Sequence, residues 1–103
     1  MRGLLAAAKR KLRIDEADTA DDLRVEEILE SAKADLAEAL AVPKGFDFMA
    51  PGMERDLLLA RVFYEWNDAL DEFEANYASM LSTTREKWIA RRYAQSKEEA
   101  SQL

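Results

Sequence analysis

One apolar stripe runs unbroken from Leu59 to Trp88, through Val62, Phe63, Trp66, Leu70, Phe73, Tyr77, Leu81 and Thr84. Its steps are mostly three and four residues, the spacing of one helix face and not the alternation of a strand. No Gly or Pro occurs after Gly52, so the second half of the chain contains neither of the residues that most oppose helix. A second row, Met53, Leu57, Ala60 and Tyr64, lies beside the stripe. The helix carrying both rows is apolar over a wide arc and belongs at the centre of a bundle. Its exposed edge is expected to be narrow: Glu54, Arg61, Glu65 and Asp68.

The rest of the chain divides around that element. Leu4, Leu5, Ala8 and Leu12 share one face of a short first helix ending near Arg13, with bases on its other faces. A polar, Asp-rich connector follows over 14–20, and Thr19 or Asp21 is placed to cap a second helix. Val25, Ile28, Leu29, Ala32, Leu36, Ala39 and Leu40 form the apolar face of that helix, whose many alanines let a neighbour approach closely. Both prolines and two of the three glycines fall within 43–52, together with Phe46, Phe48 and Met49, which makes this the one long loop. Asn67, Asp68 and an acidic capping pair, Asp71 with Glu74, favour a break in the stripe and a fourth helix over about 70–93. The expectation is an all-α fold: a bundle of about four helices with a Pro/Gly loop at 43–52, forming a single domain over 1–103 with a weakly ordered C-terminal tail from about 94. A chain of 103 residues packed compactly would have a radius of gyration of about 13 Å.

Charge is partitioned along the chain. Residues 1–14 hold five bases and no acid, residues 15–82 hold 18 acids against five bases, and residues 83–103 hold five bases against three acids; the net charge is −6. An acidic body with basic ends repels free duplex DNA over most of its surface but leaves the ends able to meet acidic protein patches. There is no His for proton transfer near neutral pH and no Cys for nucleophilic attack or soft-metal ligation. No run has the length of a membrane span, and Leu4–Ala8 is too short for a signal-peptide core.

Candidate chemical sites are weak. Asp15, Asp21 and Glu26 stand at positions one, seven and twelve of a calcium loop, but Ala17 and Thr19 replace ligands and Ala20 replaces the turn glycine. A solvated, helix-capping acid cluster is the better reading. Carboxylate pairs such as Glu26 with Glu30, or Asp68 with Glu72, would need a pocket to divide acid and base roles between them; they fall on polar helix faces, where ordinary surface charge is the better reading. The hydroxyls of Ser31, Ser79, Ser82, Thr83 and Thr84 have no His, and no Ser-x-x-Lys spacing occurs. No enzyme activity, metal or cofactor is expected. The basic first helix suits a membrane or nucleic acid less well than a position covering the bundle with its Lys and Arg heads in water. Phe63, Tyr64, Trp66, Phe73 and Tyr77 read as core, with part of that surface available as interface.

The order of these features resembles the head-tail connector, or adaptor, proteins of long-tailed bacteriophages. The likeness lies in Leu12-Arg13-Ile14-Asp15 with its acidic sequel, the Ala-rich helix marked by Ile28, Ala32 and Leu36, the Pro/Gly loop, and Ala60 to Asn67 with Phe-Tyr-Glu-Trp-Asn. It ends in Phe73-Glu74-Ala75-Asn76-Tyr77, and in all spans about residues 4–92. The resemblance implies a structural head-completion role in the virion neck. About twelve copies would form a ring on the portal protein, followed by a downstream head-completion or tail protein, with DNA passing through the channel without specific binding. It also implies synthesis in a bacterial cytoplasm and portal contacts in the C-terminal segment, at Arg91, Arg92, Tyr93 and Lys97.

The principal rival is a small helical regulator that binds nucleic acid through its basic first helix; it would shift duplex DNA with steep salt dependence. A cellular helical scaffold is a second. A metal-dependent hydrolase using Asp15, Asp18, Asp21 and Asp22 is a third, and only that one predicts a higher melting temperature on adding calcium or manganese.

Overall fold

The computed structural model describes residues 2–101, with side chains described over 3–98. Within these residues the chain forms four helices, α1 (Arg2–Lys11), α2 (Asp22–Leu40), α3 (Met53–Trp66) and α4 (Leu70–Ser101), and no strand. α2 and α3 pack on each other at the centre, α1 lies against both, and α4 lies against both. The all-α bundle read from the periodicity is the fold.

The apolar rows supply most of the core, with corrections at four positions: Met53, Phe63 and Ala39, placed on apolar faces, are exposed at the rims of those faces, and Leu58, outside both rows of α3, is fully buried. Val25, Ile28, Leu29, Ala32, Leu36 and Leu40 of α2 meet Leu57, Leu58, Ala60 and Val62 of α3, with Leu4 and Ala8 from α1 and Phe73 from α4. Lower down the stripe, Tyr77, Leu81 and Trp88 pack against this core partly buried. The 43–52 loop belongs to the core as well. Phe48 is buried, and Phe46 meets both Phe48 and Trp88 edge-to-face, with ring centroids 5.1 and 5.3 Å apart. Asp47 holds the loop's turn by accepting the Met49 N–H on Oδ1 at 2.9 Å.

Helices α1, α2 and α3 stop in the same way, without glycine. Arg13, Ala41 and Asp68 each adopt a left-handed conformation, with φ of 61°, 57° and 56°. The N–H groups of the following residues, Ile14, Val42 and Ala69, reach back to the carbonyls of Lys9, Ala37 and Tyr64. This is the Schellman closure, which satisfies carbonyls the helix leaves open. At Asp68 it produces the break between α3 and α4 that Asn67 and Asp68 suggested. The capping pair is not formed there: Ala69 supplies the carbonyl that opens α4, and Asp71 already lies in the first turn. Asp21 does precede α2, but its side chain makes no cap hydrogen bond; its backbone carbonyl accepts the Val25 N–H instead.

Two further expectations need correction. α4 continues to Ser101 instead of ending near 93, because no residue after Gly52 interrupts a helix. The radius of gyration is 15.7 Å and the molecule measures 55 × 28 × 18 Å. The 32 residues of α4 span about 48 Å, so one helix sets the long axis of a thin slab. Every described side chain from Ile89 to Glu98 is exposed.

Candidate interaction surface

The four residues expected to contact a partner lie on the distal half of α4, but they divide between two faces. Arg92 turns back to the bundle, its Nη2 donating to the Ala41 carbonyl at 2.9 Å. Two turns earlier Arg85 does the same work: its Nη1 donates to the carbonyls of Glu38 and Ala39 at 3.2 and 3.0 Å. The negative end of the α2 dipole, which has no base in its own last turn, is thus met by two guanidinium groups from α4. Arg91 lies over the Trp88 ring, 4.9 Å from its centroid. Together Arg91, Arg92, Trp88 and Gln95 of α4 and Ala41 and Pro43 enclose a small cleft of about 80 Å³.

Tyr93 and Lys97 point elsewhere. They are one turn apart, and Ile89 stands one turn before Tyr93, so the three form a row along the outer face. Tyr93 is 69% exposed and Ile89 46%. Ile89 and Tyr93 are thus two apolar side chains left to solvent along the distal half of α4, which is otherwise mostly polar.

The root of this arm is fixed by a buried carboxylate. Glu54, placed at the sequence level on the exposed edge of α3, is only 7% exposed. Its Oε2 accepts from Lys87 Nζ at 2.7 Å and from Trp88 Nε1 at 2.9 Å. Burial pushes the Glu54 pKa up, but hydrogen bonds from Lys87, its own backbone N–H and Trp88, with the charge of Lys87, more than offset it and hold it below the ordinary glutamate range. Gly52 is adapted to this contact: at φ 155° it occupies backbone space nearly reserved for glycine, and a Cβ there would sit 3.0 Å from Glu54 Oε1. Arg61, also assigned to the exposed edge, is mostly covered and bridges Asp35 at 2.8 Å and Glu65 at 3.8 Å.

A second correction concerns α1, whose bases were expected to keep their heads in water. Lys9 is 3% exposed. Its Nζ donates to the Glu16 carbonyl at 3.0 Å and the Asp18 carbonyl at 2.6 Å, and lies 2.7 Å from Asp22 Oδ1 as an ion pair. The acidic connector therefore folds around the protein's own ammonium group. Asp15 and Asp18 use their side chains locally, accepting the N–H groups of Ala17 and Ala20 in Asx turns. Both corrections had a signal in the sequence: Lys9 falls between Leu5 and Leu12 at helical spacing, and Glu54 lies three and four residues before Leu57 and Leu58.

Chemically, the arrangement offers contact surfaces. Among the described residues no three His, Cys, Asp or Glu side chains converge as ligands for a metal ion, and no helix is long and apolar enough to cross a membrane. No family model matches the chain, and no curated protein or solved structure matches it either.

Proposed function

We propose that this chain is a non-catalytic assembly adaptor, a head-tail connector of a long-tailed bacteriophage that assembles as a ring on the portal, extends the DNA channel and joins head to tail. The observation that carries the reading is the distal half of α4, an exposed helical arm bearing Ile89, Tyr93 and Lys97 on its outer row. A helix that leaves its own bundle with apolar side chains uncovered is suited to insertion against another protein. Arg91 and Arg92 act at the root of that arm through Trp88 and Ala41, and Tyr93 and Lys97 meet the portal. The acidic body, with 18 acids against five bases over 15–82, lets DNA pass without gripping it.

The rival nucleic-acid reading draws on the bases of α1, and the geometry leaves it fewer of them. Lys9 is enclosed by the connector and Arg10 pairs with Glu16 at 2.7 Å.

The test is capture by purified portal rings, read by sedimentation and negative-stain electron microscopy. Added density on one face of the portal is expected with the full chain, and its loss on deleting 94–103 or on the pair Tyr93→Ala and Lys97→Glu. Unchanged capture by those variants would remove α4 from the contact; tight retention of duplex DNA at physiological salt would favour the regulator.

A further inference from the structure

We propose a second docking site, independent of the connector reading, at the cleft between the end of α1 and the α3/α4 pair; its occupant is an acidic peptide segment of a partner protein carrying one bulky apolar side chain. The cleft, about 250 Å³ in volume, is lined by Lys11, Arg13, Ala60, Phe63, Tyr64 and Tyr77. Its floor is aromatic. Phe63, an apolar ring left 40% exposed, meets Tyr64 edge-to-face at 5.7 Å, and Tyr64 meets Tyr77 at 6.0 Å. Tyr64 is held in place from its far end, where its hydroxyl accepts from Asn76 Nδ2 at 3.3 Å.

The rim is cationic. Lys11 Nζ stands 6.0 Å from the Phe63 centroid, and the left-handed turn at Arg13 brings a second base to the same opening. Neither base makes an ion pair with a described carboxylate, whereas their neighbours Lys9 and Arg10 are both paired. In a chain of net charge −6, two adjacent cations left without acids beside an uncovered ring are complementary to carboxylates flanking an apolar residue. The volume suits a single large side chain between Phe63 and Tyr77.

The surroundings favour a short acidic segment over a nucleic acid. A polyanion continuing past this two-cation rim would run onto a body with 18 acids against five bases, where repulsion opposes it. A peptide with a few carboxylates spends its charge at the rim.

The probe is a short peptide labelled at its N-terminus, fluorescein-βAla-GELFDG-NH2, titrated into the full chain at low salt and followed by polarisation, with ¹⁵N chemical shifts mapping the contact. Shifts confined to the neighbourhood of Lys11, Phe63 and Tyr77 are expected. Lys11→Glu with Arg13→Glu should weaken binding by about tenfold or more, and Phe63→Ser several-fold; both leave the helical circular dichroism intact, since all three side chains lie at the surface. A peptide with Lys in place of every acid should not bind. Absence of shifts at millimolar peptide, equal binding of the basic peptide, indifference to the substitutions, or tighter binding of an eight-nucleotide oligothymidine would each overturn the proposal. Portal capture by the Lys11→Glu/Arg13→Glu variant should be unchanged, which separates a failure here from a failure of the connector reading.

Discussion

Lys9 Nζ lies 2.6 Å from the carbonyl oxygen of Asp18, nine residues away, and this contact closes the acidic connector onto the helix before it. The Glu16 carbonyl is a second hydrogen-bond acceptor, and the Asp22 carboxylate stands 2.7 Å away as an ion-pair partner whose Oδ1 has no hydrogen-bond partner of its own. A buried ammonium is tolerated only with acceptors and a counter-charge of this kind.

Lys9→Met keeps the stem and removes the charge. Two carbonyls then lose their donor and a carboxylate its counter-charge, and we expect a loss of about 2–4 kcal/mol in urea denaturation. Asp22→Asn should cost less, about 1 kcal/mol, because Asp22 keeps partial access to water. A Lys9→Met variant as stable as the parent would show that the connector holds its shape without the ammonium.

Glu54 makes stability depend on pH. Its folded pKa is depressed, so its contribution is fully present above the unfolded value near 4.5 and is lost as the pH falls through the lower folded value. Denaturation midpoints compared between neutral pH and about pH 3 should fall more steeply for the parent than for Glu54→Gln. Equal slopes would mean that Lys87 and Trp88 do not favour the charged form.

Ala41 occupies left-handed backbone space at the end of α2. The steric cost of Cβ there is about 1 kcal/mol or more, partly offset by the extra freedom glycine has when unfolded. Ala41→Gly should therefore stabilise the protein by about 0.5–1 kcal/mol and raise the melting temperature by a few degrees. A lower melting temperature would contradict the geometry of this helix end.

Arg85 and Arg92 hold the same helix end from α4. Arg85→Ala and Arg92→Ala should each cost about 0.5–1 kcal/mol, since both donors are exposed. The two together should also raise amide exchange at 38–41. Unchanged exchange there would free Arg92 for a partner.

Phe48 lies in the loop yet is buried with the core. Phe48→Ala should destabilise by about 3–5 kcal/mol in denaturant titration, the cost of a core cavity. A loss under about 1 kcal/mol would place the loop outside the cooperative unit.

The helices and their inward faces were legible in the sequence because apolar spacing reports burial directly: Val25, Leu29, Leu36, Leu57 and Phe73 all fall where periodicity puts them. Charged side chains were misread for a related reason. Hydropathy assigns Lys9, Glu54 and Arg61 to water, yet each sits on an apolar face and is covered because partners from distant segments meet it. Those partners, Asp18, Lys87 and Asp35, lie nine to 33 residues away, beyond what local pattern carries. The helix ends were placed by polar clusters, although three non-glycine residues in left-handed conformation make the turns. At the candidate surface, sequence grouped Arg91, Arg92, Tyr93 and Lys97 by proximity along the chain. Helical geometry parts them, since 100° per residue sets Arg91 and Tyr93 on nearly opposite sides.

Arg85, Lys87, Trp88 and Arg92 all grip the bundle within two turns of α4. Beyond the last of them only nine residues remain to Ser101, about 13 Å of helix. A tilt of about 10° at that final anchor carries the tip by only about 2 Å. The protrusion is thus a stub with a set heading, and whatever receives it must be shaped to that heading or must loosen Arg92 from Ala41 to change it.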